Sequence, residues 1–132
     1  MNVIEIIEFL KDSGLTQVEE IEYKDDILVL RCYYDFDKDE IIAAKSFATE
    51  ESDYELESEE WYSEYLIPYL NDIAVDNLSD IVEETMDEFE VEGQFSSYDI
   101  DRNNFQYSEF ILAFSDSEEE IDIDNILDDI DL

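Results

Sequence analysis

The chain has 132 residues, with 41 Asp or Glu against 6 Lys or Arg and no histidine, for a formal net charge of −35. Such a field repels polyanions and supplies few cations for phosphates, which excludes direct nucleic-acid binding through a basic surface and docking on anionic lipid. Sixteen Ile, eleven Leu, six Val and eight Phe nevertheless make about 31% of the chain, above the roughly 20% below which high charge predicts disorder, so one folded domain over residues 1–132 is expected.

The N-terminal segment MNVIEIIEF begins without a basic flank and carries Glu5 and Glu8 inside its apolar stretch, so it is not expected to be a signal peptide. Asn2 followed by Glu5 resembles a capping box, and Val3, Ile6, Ile7 and Leu10 follow at helical spacing. Gly14 supplies a C-terminal stop, which predicts a helix over residues 3–13. QVEEIEY and ILVLRCYY, separated by KDD (residues 24–26), predict a hairpin. Leu28, Leu30, Cys32 and Tyr34 share one face of its second strand, and Ile27, Val29, Arg31 and Tyr33 the other. Both faces are largely apolar, so that strand is expected to be central, or covered by helices on one side and aromatics on the other.

Asp37 with Glu40 forms a second capping box, with Phe36 and Ile41 placed to staple across it, predicting a helix from about Lys38 to Ala48. Residues 49–60 carry seven carboxylates and no base; they read as a solvated connector, helical at most near its end. From Glu59 the helical pattern resumes with Trp61, Tyr62, Tyr65, Leu66, Tyr69, Leu70, Ile73 and Ala74. Pro68 is expected to kink or break it, with Ile67 biased away from helical angles and a new helix starting near the proline. A further run through Leu78, Ile81, Val82, Thr85, Met86 and Phe89 is expected to end near Gly93.

The last third is β-like: EVEGQFSSYDI and FQYSEFILAFS flank the turn DRNN (residues 101–104). Phe110, Leu112 and Phe114 face one way, and Phe105, Tyr107, Glu109, Ile111 and Ala113 the other. In the acidic C-terminal tail, residues 117–132, Ile123, Leu127 and Ile130 lie at helical spacing and predict a short docking helix. The order is thus α-β-β-α-α-α-β-β-(α). It predicts an α+β fold with a four-stranded, mostly antiparallel sheet of two hairpins and about four to five helices. Helix followed by hairpin occurs twice, a likeness of element order rather than of sequence.

Function is read less directly. A single cysteine, Cys32, cannot form an internal disulfide, so a reducing cytoplasm is the simplest location. Within its apolar strand Cys32 is expected to be a buried small hydrophobe, with Arg31 pointing to the opposite face. The absence of histidine removes Ser-His and Cys-His nucleophile pairs and the imidazole ligand of zinc, and no cofactor motif is present. A non-enzymatic protein is expected. Apolar runs are too short to span a membrane.

The charge is not uniform. Residues 1–45 carry five bases against twelve acids, a net of −7, whereas residues 46–132 carry 29 acids against Arg102 alone, a net of −28. The surface of residues 49–132 is therefore the candidate working face, suited to a basic partner such as a nucleic-acid-binding protein or nuclease, which the chain would inhibit or meet as a nucleic-acid mimic. Asp76, Asp80, Glu83, Asp87 and Glu90 form a row on one helix face. Trp61 is a candidate anchor if exposed; packing of the Trp61, Tyr62, Tyr65 and Tyr69 stripe is the competing explanation. The alternative readings are an acidic soluble domain with no charge-based partner, adaptation to high salt, and a weak divalent-cation-binding protein. For the last, Asp99, Asp101 and Asn103 match the opening of a calcium loop, but Asn104 stands where Gly is wanted and Phe110 where Glu is wanted, so a hairpin turn explains them better. Asp35, Asp37 and Asp39 repeat the same beginning, and helix capping explains them. Arg102 is expected to pair with a carboxylate of its own turn.

Overall fold

The computed structural model describes residues 1–24, 26–116 and 120–130. Its elements run α1 (Val3–Asp12), β1 (Thr16–Lys24), β2 (Ile27–Asp35), α2 (Lys38–Glu51), a π-helical segment (Trp61–Leu66), α3 (Ile67–Phe89), β3 (Glu92–Ser97), β4 (Tyr107–Ser115) and α4 (Ile123–Ile130). Among the described residues four strands form one antiparallel sheet in the order β1-β2-β4-β3. The fold is α+β in the expected element order, and β2 is central as its two apolar faces require. The two α-β-β units meet through their second strands, β2 and β4, in a register centred on Arg31 opposite Ile111.

Local chemistry sets the helix ends. Asn2 Oδ1 accepts the Glu5 N–H at 3.1 Å and starts α1. The Asp37–Glu40 box is complete: Asp37 Oδ1 accepts the Glu40 N–H at 2.8 Å, and Glu40 Oε1 accepts the Asp37 N–H at 3.0 Å. Helix α2 runs one turn beyond Ala48, to Glu51, which shortens the connector.

A new helix, α3, does start beside Pro68 as expected, but the chain does not leave helical conformation there. Leu66 and Ile67 both keep right-handed helical angles, and α3 continues directly from the π-helical segment. A proline within a helix lacks an N–H and crowds the preceding turn; the wider turn, in which the Ile67 N–H reaches back to the Tyr62 carbonyl, takes up that demand without leaving the helix. At the other end α3 stops at Phe89 rather than near Gly93, because Glu90 takes the left-handed conformation (φ 53°, ψ 49°) that caps the helix. Gly93 has a different role. It lies in β3 against Phe114, where a Cβ would come within 2.9 Å of the ring.

The sheet has two unequal faces. Leu28, Leu30 and Cys32 of β2 with Phe110, Leu112 and Phe114 of β4 form the main core with Ile6 and Leu10 of α1, Ala44 and Ala48 of α2, and Leu70, Ala74, Leu78 and Val82 of α3. The alanines let α2 lie against α3 and the π-helical segment. On the reverse face Ile27, Val29, Ile111 and Ala113 are covered by Ile121 and Ile126. Helix α4 is held there by the Tyr23 hydroxyl, which donates to Asp129 at 2.6 Å, and by Gln94, whose side-chain oxygen accepts the Ile123 N–H at 3.1 Å. Phe105, expected to share the outward face of β4, instead precedes that strand and packs on the main core beside Tyr62. No described helix is long and apolar enough to cross a membrane.

Candidate functional site

Helix α3 supplies a long row of like charge. Its inner face is apolar, with Leu70, Ala74, Leu78, Ile81 and Val82 buried together with Thr85, whose hydroxyl donates to the Ile81 carbonyl at 2.8 Å. That burial fixes which residues face solvent. Asp76, Asp80, Glu83 and Asp87 lie on the outer face and are exposed, and Glu90 extends the row from the cap position. The sequence reading missed three members: Asp72, Glu84 and Glu88 are exposed on the same helix. They carried a signal, since each lies four residues from another acid.

The eight carboxylates from Asp72 to Glu90 span about 27 Å at roughly 1.5 Å rise per residue, or one charge per about 3.4–3.9 Å of axis, distributed over about 160° of the helix surface. A single nucleic-acid strand carries one phosphate per about 3.4 Å of duplex axis. The sequence of α3 contains no Lys or Arg. Among the described residues the ion pairs lie elsewhere: the Met1 amino group with Asp116 at 2.9 Å, Arg31 with Glu109 at 2.8 Å, and Arg102 with Glu59 at 3.9 Å. Arg102 thus pairs with the connector to the π-helical segment and not with its own turn.

Trp61 does not join this surface. It is 1% exposed, in the main core and edge-on to Tyr62 with ring centroids 5.0 Å apart, so its role is packing rather than anchoring. The aromatic stripe divides around it. Trp61 and Tyr62 turn inward, Tyr62 toward Phe105 at 6.0 Å, whereas Tyr65 and Tyr69 meet Phe47 of α2. Phe47 stacks on Tyr69 at 4.9 Å and 28° and lies 6.3 Å from Tyr65, which lies 6.2 Å from Tyr54. Phe47 is 38% exposed and Tyr54 45%. Helical spacing cannot reveal this cluster, because it joins α2, the connector, the π-helical segment and α3.

Between α3, the start of α2 and the α1–β1 turn lies a groove lined by Tyr34, Asp35, Asp37, Glu40, Asn77, Asp80 and Glu84, among others. The Tyr34 hydroxyl donates to Glu40 Oε2 at 2.8 Å and accepts from Asn77 Nδ2 at 2.9 Å. Burial, reinforced by the Glu40 and Asp37 carboxylates, pushes its pKa well up. A tyrosine so held keeps its proton and ties α2 to α3. On the reverse sheet face Arg31 satisfies itself within the fold, donating to Glu109 at 2.8 Å and to the Tyr33 hydroxyl at 2.7 Å. Cys32 on the opposite face is fully buried, and desolvation raises its thiol pKa to about 12, which leaves it protonated and unreactive.

Asp99, Asp101 and Asn103 lie in the connection between β3 and β4. Asp101 Oδ1 accepts the Asn103 N–H at 2.9 Å, and the Asp101 carbonyl accepts the Asn104 N–H at 2.9 Å, which is the arrangement of a turn. Among the described residues no group of three or more His, Cys, Asp or Glu converges as a metal site.

The chain matches no protein-family model, no curated protein and no solved structure.

Proposed function

We propose that this protein acts by binding rather than by catalysis, with the outer face of α3 engaging a basic partner as a nucleic-acid strand would, as an inhibitor of a nucleic-acid-binding protein or nuclease. The observation that carries the reading is the α3 row: eight exposed carboxylates at the axial charge density of one strand, with no cation interleaved. The row opposes the stability of the helix that bears it. Acids four apart repel by about 0.2–0.5 kcal/mol per pair at low salt, and α3 contains five such pairs, Asp72–Asp76, Asp76–Asp80, Asp80–Glu84, Glu83–Asp87 and Glu84–Glu88. The last turn of α3 has no base to meet the negative end of the helix dipole. A face needed only for solubility would be served as well by acids on loops or at helix starts, where they cost nothing. A reducing cytoplasmic location accompanies this reading, supported by the single, buried Cys32.

The test is competition. The chain is titrated into preformed complexes of DNA with basic nucleic-acid-binding proteins at low salt, beside a poly-glutamate of equal charge and the variant Asp80→Asn/Glu83→Gln/Asp87→Asn. The reading predicts displacement of DNA from at least one such protein by the chain, about tenfold weaker for the variant and for poly-glutamate. Equal competition by all three would reduce the effect to bulk charge and overturn the reading, as would no displacement at low salt.

A further inference from the structure

The carboxylate row does not end at Asp72. One turn earlier, across Tyr69 and Tyr65, it runs into the half-exposed aromatic cluster formed with Phe47 and Tyr54. Among the described residues the exposed aromatics are Phe47, Tyr54 and Tyr107, and the first two are linked through the half-buried rings of Tyr65 and Tyr69. Carboxylates surround them. Glu50 and Glu51 lie three and four residues beyond Phe47 on α2, and Asp72 three beyond Tyr69, spacings that place each one turn away on its helix. Glu64 contacts the Tyr54 hydroxyl, where its charge and hydrogen bond raise the hydroxyl pKa.

Among the described residues three of the six cations of the chain lie over other rings. Lys24 lies over Tyr23 at 5.4 Å, Arg31 over Tyr33 at 5.6 Å and Lys45 over Phe105 at 5.6 Å. Lys45, two residues before Phe47, is thus directed to Phe105. What remains is an apolar, π-rich surface within an anionic rim. A bare ammonium gains from the rim alone and loses hydration over the rings; a planar, weakly hydrated guanidinium stacks on a ring while its N–H groups reach carboxylates at the edge.

The geometry points to the Phe47–Tyr54–Tyr65–Tyr69 cluster as an arginine-docking site, which selects arginine over lysine on the basic partner and fixes its register along the α3 row. The inference rests on the basic-partner reading: α3 provides attraction, and the cluster provides choice of side chain. It also assigns the exposed area of Phe47 and Tyr54 a role that the core does not require of them.

The probes are two peptides of equal length, one of arginines and one of lysines, titrated at fixed ionic strength into the full chain and into Phe47→Leu/Tyr54→Leu. Leucine retains the apolar contacts and removes the rings, and circular dichroism with a melting curve verifies the fold. The readout is the ratio of the two affinities. The wild-type chain should favour the arginine peptide, and the double variant should lose about three- to tenfold of that preference with its lysine affinity unchanged. A ratio unaltered by the double substitution would overturn the docking site while leaving the basic-partner reading intact. Failure of both peptides to bind the wild-type chain at low salt would remove that reading and the docking site together.

Discussion

Helices α1 and α3 lie on the same side of the sheet and bury similar residues, yet their solvent faces follow opposite rules. Helix α1 has Asn2 as its cap, Glu5 in its first turn and Lys11 in its last, each placed to favour the helix. Helix α3 has no acid in its first turn and no base in its last, and its charged residues are all acids. The inner faces therefore answer to one requirement, a common core, whereas the outer faces do not. Stability accounts for Glu5 and Lys11 of α1, whereas its Glu8 and Asp12, four apart with Asp12 in the last turn, oppose the helix on a smaller scale than the acids of α3. The charges of α3 lower stability, and the fold does not require their order along the helix.

The largest expected effect addresses the shared half of this comparison. Leu10→Ala in α1 and Leu78→Ala in α3 both empty fully buried positions of one core, and each should cost about 2–5 kcal/mol in chemical denaturation. A cost below about 1 kcal/mol for either would show that its helix is not packed as described. A smaller effect of opposite sign separates the outer faces. Neutralising Asp80, Glu83 and Asp87 to Asn, Gln and Asn should raise stability by about 1 kcal/mol at low salt, or roughly 3–5 °C in Tm, a gain that fades as added salt screens the repulsion. Glu5→Gln with Lys11→Gln in α1 should instead lower stability by a few tenths of a kcal/mol, about the scale of lost dipole and cap-region interactions. Equal signs for the two sets would remove the distinction between the helices.

Much of the fold was legible because local signals and burial agree in most elements. The Asn2 and Asp37 caps, the alternation Leu28, Leu30, Cys32 and the Phe110, Leu112, Phe114 face each specify an element and its orientation. The misreadings arise where one residue type has two physical roles. Pro68 can break a helix or be absorbed by a wider turn, and only the packing of Trp61 and Leu66 in the core selects the second. Gly93 can cap a helix or admit a ring, and Phe114 decides for the ring. The α3 row was visible in part, because four-residue spacing is a property of sequence. Its other members, Asp72, Glu84 and Glu88, lie at the same spacing and were readable from it; only the continuity of Asp72 with the rest required knowing that Ile67–Phe89 is one helix. Of the Phe47 cluster only Tyr65 and Tyr69 were visible, as part of an aromatic stripe, since the cluster is assembled by the docking of α2 on the π-helical segment and α3.

The central claim is that position along α3, not total charge, makes the working face. Its most direct measurement is the association rate with an arginine-rich peptide as a function of salt. Three forms of the full chain are compared: wild type, Asp80→Asn/Glu83→Gln/Asp87→Asn, and a control with equal loss of charge on the exposed acids of β1, Glu19→Gln/Glu20→Gln/Glu22→Gln. Steering by an ordered row predicts that the rate falls steeply with salt for wild type and the β1 control, and starts several-fold lower with a shallower slope for the α3 variant. Identical rates and slopes for the two charge-matched variants would contradict the account.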